Sequence, residues 1–229
     1  GEIHLEVNSA TIERGQKIAF IGHTGGGKTT MMRILRSLYH PQSLRLSVDG
    51  SPIPDGFAGI SDAIALIPQN PEIFASTIRE NITMHDPDVD EECIDRYSEI
   101  ACFSEVISGL PKGLESSTKE KGVNLSGGQQ QRLAMARGLL ASRNRDIILL
   151  DEQTSGLDKA TELEVCRRIF SGFSDKTIIS IVHGLHLLPL FDTIFVFENG
   201  KIVGNGSREH LTRTCPEFNR LLLAMSTVS

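Results

Sequence analysis

Eight consecutive residues, Gly22-His23-Thr24-Gly25-Gly26-Gly27-Lys28-Thr29, bring together the groups that a polyphosphate demands. Glycines allow a tight turn that aims several backbone N–H groups into one concavity, and a helix starting at the loop's far end adds its positive dipole end. Lys28 is spaced to reach the outer phosphates and the Thr29 hydroxyl to ligate Mg²⁺. Asp151-Glu152 closes an apolar run, so two carboxylates stand where a metal and a terminal phosphate would lie. Asp151 suits the metal shell, and Glu152 suits polarising a water for in-line attack. His183 closes a second apolar run, and Gln69 follows a third between Pro68 and Asn70-Pro71. Ser126-Gly127-Gly128-Gln129 opens a helix with Ser126 as a natural N-cap, a second anion-receptive place. By residue type alone, Gln69 reads first as a surface-loop residue. Ser126 reads equally as a plain cap, and His183 equally as a satisfied surface or core histidine.

The elements needed to position these groups can be read from periodicity. Ile18–Ile21 is a short unbroken apolar run, as in a buried parallel strand, and Thr29 to about Tyr39 carries a helical pattern that His40-Pro41 ends. Strands are also expected at Ala63–Ile67, Ile147–Leu150 and Thr177–Val182, which places Gln69, Asp151, Glu152 and His183 at the carboxyl edge of one sheet. Residues 2–12 alternate loosely like a half-buried strand. Leu44–Val48 reads as another strand, running into an Asp49-Gly50 turn and a loop over Ser51–Gly59. From Glu72 to about Gly122 the strand signal vanishes, and short helices are expected at Thr77–Asn81, Glu91–Cys102 and Phe103–Leu110. A long helix follows Ser126 to Leu140, and another spans Lys159–Phe170. Thr193–Phe197, Asn199-Gly200 and Lys201–Val203 make a hairpin, and Glu217–Met225 a last helix.

Composition narrows the partners. At 229 residues the chain can build one substantial α/β core, and 39% hydrophobic with 23% charged residues is ordinary for a soluble globular protein. A net charge of −6 argues against a sequence-independent nucleic-acid surface, so phosphate binding must be local. No apolar run reaches bilayer length; Leu185–Phe197 is broken by His186, Pro189 and Asp192. Residues 1–15 carry Glu2, Glu6 and Glu13 without the apolar core of a secretory leader. Cys93, Cys102, Cys166 and Cys215 lack CxxC spacing and read as free thiols of a reduced compartment. The acidic run Asp86–Glu92 reads as a solvated helix start.

Assembled in order, these residues resemble the nucleotide-binding domain of an ATP-binding cassette transporter over nearly the whole chain. Gly22–Thr29 resembles the Walker A element, Leu125–Gln129 is identical to the LSGGQ signature, and Ile147–Glu152 resembles Walker B with its adjoining glutamate. Gln69 matches the Q-loop, Ser155–Asp158 the D-loop and His183 the switch histidine. The resemblance implies an α/β P-loop NTPase fold. A mainly parallel catalytic core with an antiparallel β edge would span 1–71 and 141–229, and an inserted α-helical subdomain 72–140. It implies ATP and Mg²⁺ as ligands. Gly22, Thr24, Gly25, Gly26, Gly27, Lys28, Thr29 and Thr30 would grip the nucleotide, and Thr29, Gln69 and Asp151 would hold the metal. Glu152 would be the base, with His183, Gln69 and Lys28 acting on the terminal phosphate. Ser126, Gly128, Gln129 and Asp158 would complete the site of a second nucleotide-binding domain, identical or different, in a head-to-tail dimer.

Residues Ile67–Ile82 are similar to the exporter branch, where this segment meets the transmembrane domain. The expected protein is therefore an exporter's ATP-hydrolysing motor at the cytoplasmic face of a membrane, itself soluble and with no nucleic-acid partner. Thr29 for serine, Gln153 for proline or alanine, Gly156 for alanine and Gly184 for arginine depart from the pattern, and none removes a catalytic group. The loop between Asp49 and Ala63 is short for the family. The aromatic that stacks on adenine would precede Gly1, and the chain is expected to be a fragment of a longer membrane protein. A soluble cassette ATPase acting on ribosomes or DNA would be expected to carry tandem cassettes, a coiled-coil insertion or a basic surface. A purely regulatory cassette would have lost Lys28, Glu152 or His183; the sequence has all three.

Overall fold

The computed structural model describes residues 5–68, 72–118, 124–152 and 156–226. They fall into two compact units, Gly1–Leu66, Arg145–Glu152 and Asp175–Ser229 in one, and Ile67–Asn144 with Gln153–Ser174 in the other. The first is built on a six-stranded sheet, whose strands are β1 (Lys17–Gly22), β4 (Ile64–Ile67), β5 (Ile147–Leu150), β6 (Thr177–Ile181), β7 (Thr193–Glu198) and β8 (Lys201–Gly206). Their order is β4-β5-β6-β1-β7-β8. β1 lies between β6 and β7, parallel to both; β5 is parallel to β6, and β8 closes the edge antiparallel to β7. A small separate hairpin pairs β2 (Ser47–Val48) with β3 (Ser51–Pro52).

The run KIAFIG becomes the central strand because a parallel strand covered on both faces tolerates no polar alternation. Ile18 and Ala19 are wholly buried, and Phe20 packs between Phe195 and Phe197 at ring-centroid distances of 5.7 and 4.9 Å. Ile18 and Phe20 each contribute about 1.5–3 kcal/mol by leaving water. Met32 and Leu35 of α1 (Lys28–Leu35), with Ile64, Leu149, Ile179 and Ile181, complete this core. The stiff sheet carries the glycine loop at the end of its middle strand.

The second unit is helical: α2 (Ile78–Thr83), α3 (Glu91–Ile100), α4 (Ser104–Gly109), α5 (Gly127–Ala141) and α6 (Lys159–Gly172). α5 packs against α2 and α3, burying Leu133, Met135 and Leu139. Local capping sets the boundaries. Thr77 and Glu80 form a capping box on α2, Ser126 and Gln129 another on α5, and Asp90 and Asp158 cap α3 and α6.

Several expected elements are shorter in the structure. The first helix stops at Leu35 rather than Tyr39, because Ser37 adopts φ 61° and the Leu38 N–H donates to the Arg33 carbonyl at 2.8 Å. With Ser37 N–H on the Ile34 carbonyl this is a Schellman ending built without glycine. In the expected strand at 2–12, the described residues make one bridge, Glu6 with Lys201, before the chain bends at Asn8. Leu5 and Val7 still turn inward, so the alternation was real but gained no ladder partner. Of Leu44–Val48 only Ser47–Val48 pairs, and the expected loop winds into a 3₁₀ helix over Gly56–Ala63. Helix α7 (Arg208–Thr214), ahead of α8 (Pro216–Ser226), carried no apolar stripe beyond Leu211 and was not expected.

Candidate functional site

Gly22 ends β1 at φ 146°, and a Cβ there would lie 2.1 Å from the Phe197 carbonyl oxygen of β7. Only glycine lets the chain leave the strand so close to its neighbour. The loop then turns through Gly25 and returns to α1, where Gly27 at φ 109° occupies the N-cap position without any side-chain cap. The first-turn N–H groups are thus left to a ligand or solvent.

Lys28 is almost fully buried, and its Nζ donates to the carbonyls of Gly22 at 2.8 Å and His23 at 3.0 Å. Burial lowers its pKa, against the opposing pull of the Glu152 and Asp151 carboxylates. Thr24, Gly25, Gly26, Gly27, Lys28, Thr29 and Thr30 line a depression of about 150 Å³ whose other wall is Glu152 and His183.

Glu152 follows β5 at φ 52°, a left-handed conformation uncommon for a residue with a side chain. Such backbone persists where the surroundings hold it, and it costs about 1–3 kcal/mol. Here it turns the carboxylate to His183, whose Nε2–H donates to Oε1 at 2.6 Å. Asp151 is half-buried, and burial raises its pKa, with the neighbouring Glu152 charge adding to the effect. Arg33, His183 and Lys28 pull the other way. Arg33 carried no motif signal; it stands one helical turn beyond Thr29 on α1, with its guanidinium 5.4 Å from the centre of the Tyr39 ring.

Of the sequence-predicted residues, the depression thus gathers the glycine loop, Thr29, Thr30, Glu152 and His183. Gly22 forms the loop's root and Asp151 sits beside Glu152, within the electrostatic reach of Lys28. Gln69, assigned to both metal and catalysis, lies outside the described residues, as do Gln153 and Ser155. Thr29 and Asp151 offer a hydroxyl and a carboxylate, the hard-oxygen donors that Mg²⁺ takes together with phosphate oxygens and water. Among the described residues no cluster of three His, Cys, Asp or Glu could hold a metal unaided.

Ser126, Gly128, Gln129 and Asp158 belong to the helical unit. The Ser126 hydroxyl accepts from the Gln129 N–H at 3.3 Å, while the Gln129 side chain accepts from the Ser126 N–H at 2.9 Å. The helix end itself is exposed. Gly128 packs on Leu157: a Cβ there would stand 3.3 Å from Leu157 Cδ2. Asp158 accepts from the N–H groups of Ala160 and Thr161 and from the Thr161 hydroxyl, which hold its carboxyl below the usual range, the Thr161 hydroxyl most. Its side chain therefore serves as the cap of α6.

Sequence reading also missed Asn81. Fully buried, it accepts from the Phe74 N–H and donates to the carbonyls of Phe74 and Thr77, pinning the 74–77 loop to α2. The cue available was an asparagine at a core position of a helix.

A family model described as ABC transporter matches residues 5–155. The chain belongs to the ABC transporter family. It is 35% identical over 202 residues to a Staphylococcus aureus protein named for multidrug export, an ATP-binding/permease protein; the match covers 88% of this chain and 35% of that one. It is 34% identical over 213 residues to the Bacillus subtilis glutathione/L-cysteine transport system ATP-binding/permease protein CydD, covering 93% of this chain and 37% of that one. Among solved structures it is similar to a bacterial Atm1-family ABC exporter with ATP bound, at 31% identity and TM-score 0.82, over 93% of this chain and 37% of that one. The cassette therefore spans about a third of the length of the relatives it matches. The expected α/β fold, with its mainly parallel sheet and antiparallel edge, is the one observed. No helix among the described residues is long and apolar enough to cross a membrane.

Proposed function

We propose that this cassette binds Mg-ATP, hydrolyses it, and serves as the motor domain of an ABC exporter. One observation carries the reading: the glycine loop, Lys28, Thr29, Glu152 and His183 converge on a single depression. The loop N–H groups and Lys28 would hold the phosphates, with Lys28 exchanging two carbonyl contacts for anionic oxygens. Thr29, Asp151 and Gln69 would hold Mg²⁺, which would supply neutralisation of the phosphate charge that builds up in transfer. Glu152 would accept a proton from the attacking water as its oxygen bonds to the terminal phosphorus and the bond to ADP breaks. His183, parted from Glu152 on nucleotide binding, would then hold the terminal phosphate.

The exposed start of α5 with Ser126, Gly128 and Gln129, and the turn at Asp158, would close on the phosphates bound by a second cassette in a head-to-tail dimer. Two positive helix ends facing one polyphosphate neutralise more charge than one. Residues 72–140 would act as the helical subdomain, and the Gln69–Ile82 segment, with its 74–77 loop pinned by Asn81, would meet a transmembrane domain at the cytoplasmic face of the membrane. Hydrolysis would release the dimer, so ATP acts by binding two states unequally.

The test is Glu152→Gln. Loss of a general base removes about 10²–10⁴-fold of rate. Turnover should fall by that factor while Mg-ATP binding persists and sedimentation shows an ATP-dependent dimer. Wild-type turnover in the variant would refute the assignment.

A further inference from the structure

Behind the phosphate loop lies a brace made by Leu5, Glu6 and Gly200, none of which lines the depression. The Gly200 N–H donates to the Gly26 carbonyl at 3.1 Å, and the Gly200 carbonyl accepts from the Glu6 N–H at 2.7 Å. Gly200 belongs to the two-residue turn joining β7 to β8, with Asn199 at φ 49° and Gly200 at φ 75°, the type I′ geometry that matches strand twist. Leu5 touches the loop from the same strap: a Cβ on Gly27 would stand 2.9 Å from Leu5 Cδ1 and 3.4 Å from the Gly200 Cα. Glu6 also bridges Lys201 in the backbone, and its Oε2 lies 2.8 Å from Lys201 Nζ.

We propose that Leu5 and Glu6 form a strap that, through the Asn199-Gly200 turn, positions the phosphate loop for Mg-ATP, making both of them positioning residues. The proposal rests on the reading of the loop as a triphosphate site. A trans peptide points its C=O and N–H in opposite directions, so holding the Gly26 carbonyl on the hairpin turns the Gly27 N–H away from it, free for a phosphate. A loop with glycines at 25, 26 and 27 has many alternative conformers, and affinity falls in proportion to the fraction that is competent. By linkage, nucleotide that selects the braced loop must also tighten the strap.

Glu6→Pro deletes the N–H that holds Gly200, whereas Glu6→Gln keeps it and removes only a surface ion pair of small worth. Calorimetric titration of the chain with Mg-ATP should show Kd raised about fivefold or more in Glu6→Pro and within about twofold of wild type in Glu6→Gln. Turnover at saturating Mg-ATP should be unchanged in both, a split that simple destabilisation would not produce. Amide exchange at Gly200 should quicken in Glu6→Pro, and Mg-ATP should slow exchange at Glu6 in the wild type. Leu5→Ala should weaken binding in the same direction and Leu5→Ile restore it, which covers the case of a Glu6→Pro chain that does not fold. If Leu5→Ala, and Glu6→Pro where it folds, bind Mg-ATP within twofold of wild type, the strap is overturned. A wild-type chain that binds no Mg-ATP sinks the triphosphate reading alone. The brace is then judged on Gly200 exchange, and unchanged exchange in Glu6→Pro overturns it.

Discussion

Replacing Gly22 by alanine probes how tightly the strand order constrains the phosphate loop. The new Cβ would sit 2.1 Å from the Phe197 carbonyl oxygen, roughly 1 Å inside ordinary contact, and that oxygen belongs to a backbone that cannot rotate aside. Gly22 is paired with Phe197 in the β1–β7 ladder, so relief requires the two strands to part at the mouth of the site. The backbone adds its own cost, since φ 146° is strained for any L side chain by about 1–3 kcal/mol. Overpacking contributes about another 1–3 kcal/mol. Gly25→Ala is the internal control. It lies in the same loop at φ 79°, with nothing within 4 Å of the added carbon, so only backbone strain of about 1–2 kcal/mol applies. The two variants should therefore differ by about 2 kcal/mol, or roughly 4–8 °C in Tm for a chain of this length. Thermal melts followed by circular dichroism read this directly. Equal melting temperatures would show that β7 yields to Gly22 and that the packing argument is wrong.

Two further outcomes follow from the helical unit. Ser126→Arg removes the hydroxyl that caps α5 and places a bulky cation at the exposed helix end, so about 1 kcal/mol of stability should go with the cap. Phosphate release should drop by about 10²-fold or more while Mg-ATP affinity of the monomer is unchanged; undiminished release would mean that no second cassette uses this helix end. Burial pushes the Cys166 thiol up to about 12, so the folded chain keeps a proton that the unfolded chain loses from about pH 9. Stability should therefore be intact below pH 9 and decline above it, by about 1.4 kcal/mol per pH unit from this group until its folded pKa is reached. Denaturant titrations at pH 9 and 10 should show the slope, and Cys166→Ala should flatten it; equal slopes would refute the assignment.

Glycine spacing, the lysine and hydroxyl after it, the LSGGQ run and the two carboxylates closing an apolar strand were all legible because each is a local chemical pattern. The Asn199-Gly200 turn was legible for the same reason: both residues tolerate positive φ, and both adopt it. The end of α1 was not, since Ser37 takes a left-handed conformation that residue type does not announce. The strand expected near the start was misjudged because inward-facing alternation says which side is buried but not whether a neighbour offers hydrogen bonds. Asp158 was legible as a motif residue, but that its carboxylate also caps α6 was not read from the sequence.

What the linear order of residues determined is therefore the inventory: which groups exist, and which strand or helix end carries each. Tertiary structure alone decided which of them meet. Glu152 and His183 are 31 positions apart and come to 2.6 Å because β5 and β6 run in parallel side by side, and because a strained backbone turns the glutamate. The Phe197 carbonyl behind Gly22, and the Gly200 amide behind Gly26, come from a hairpin some 170 residues later. Sheet pairing is a contact between distant segments, and its register depends on packing that no local pattern encodes.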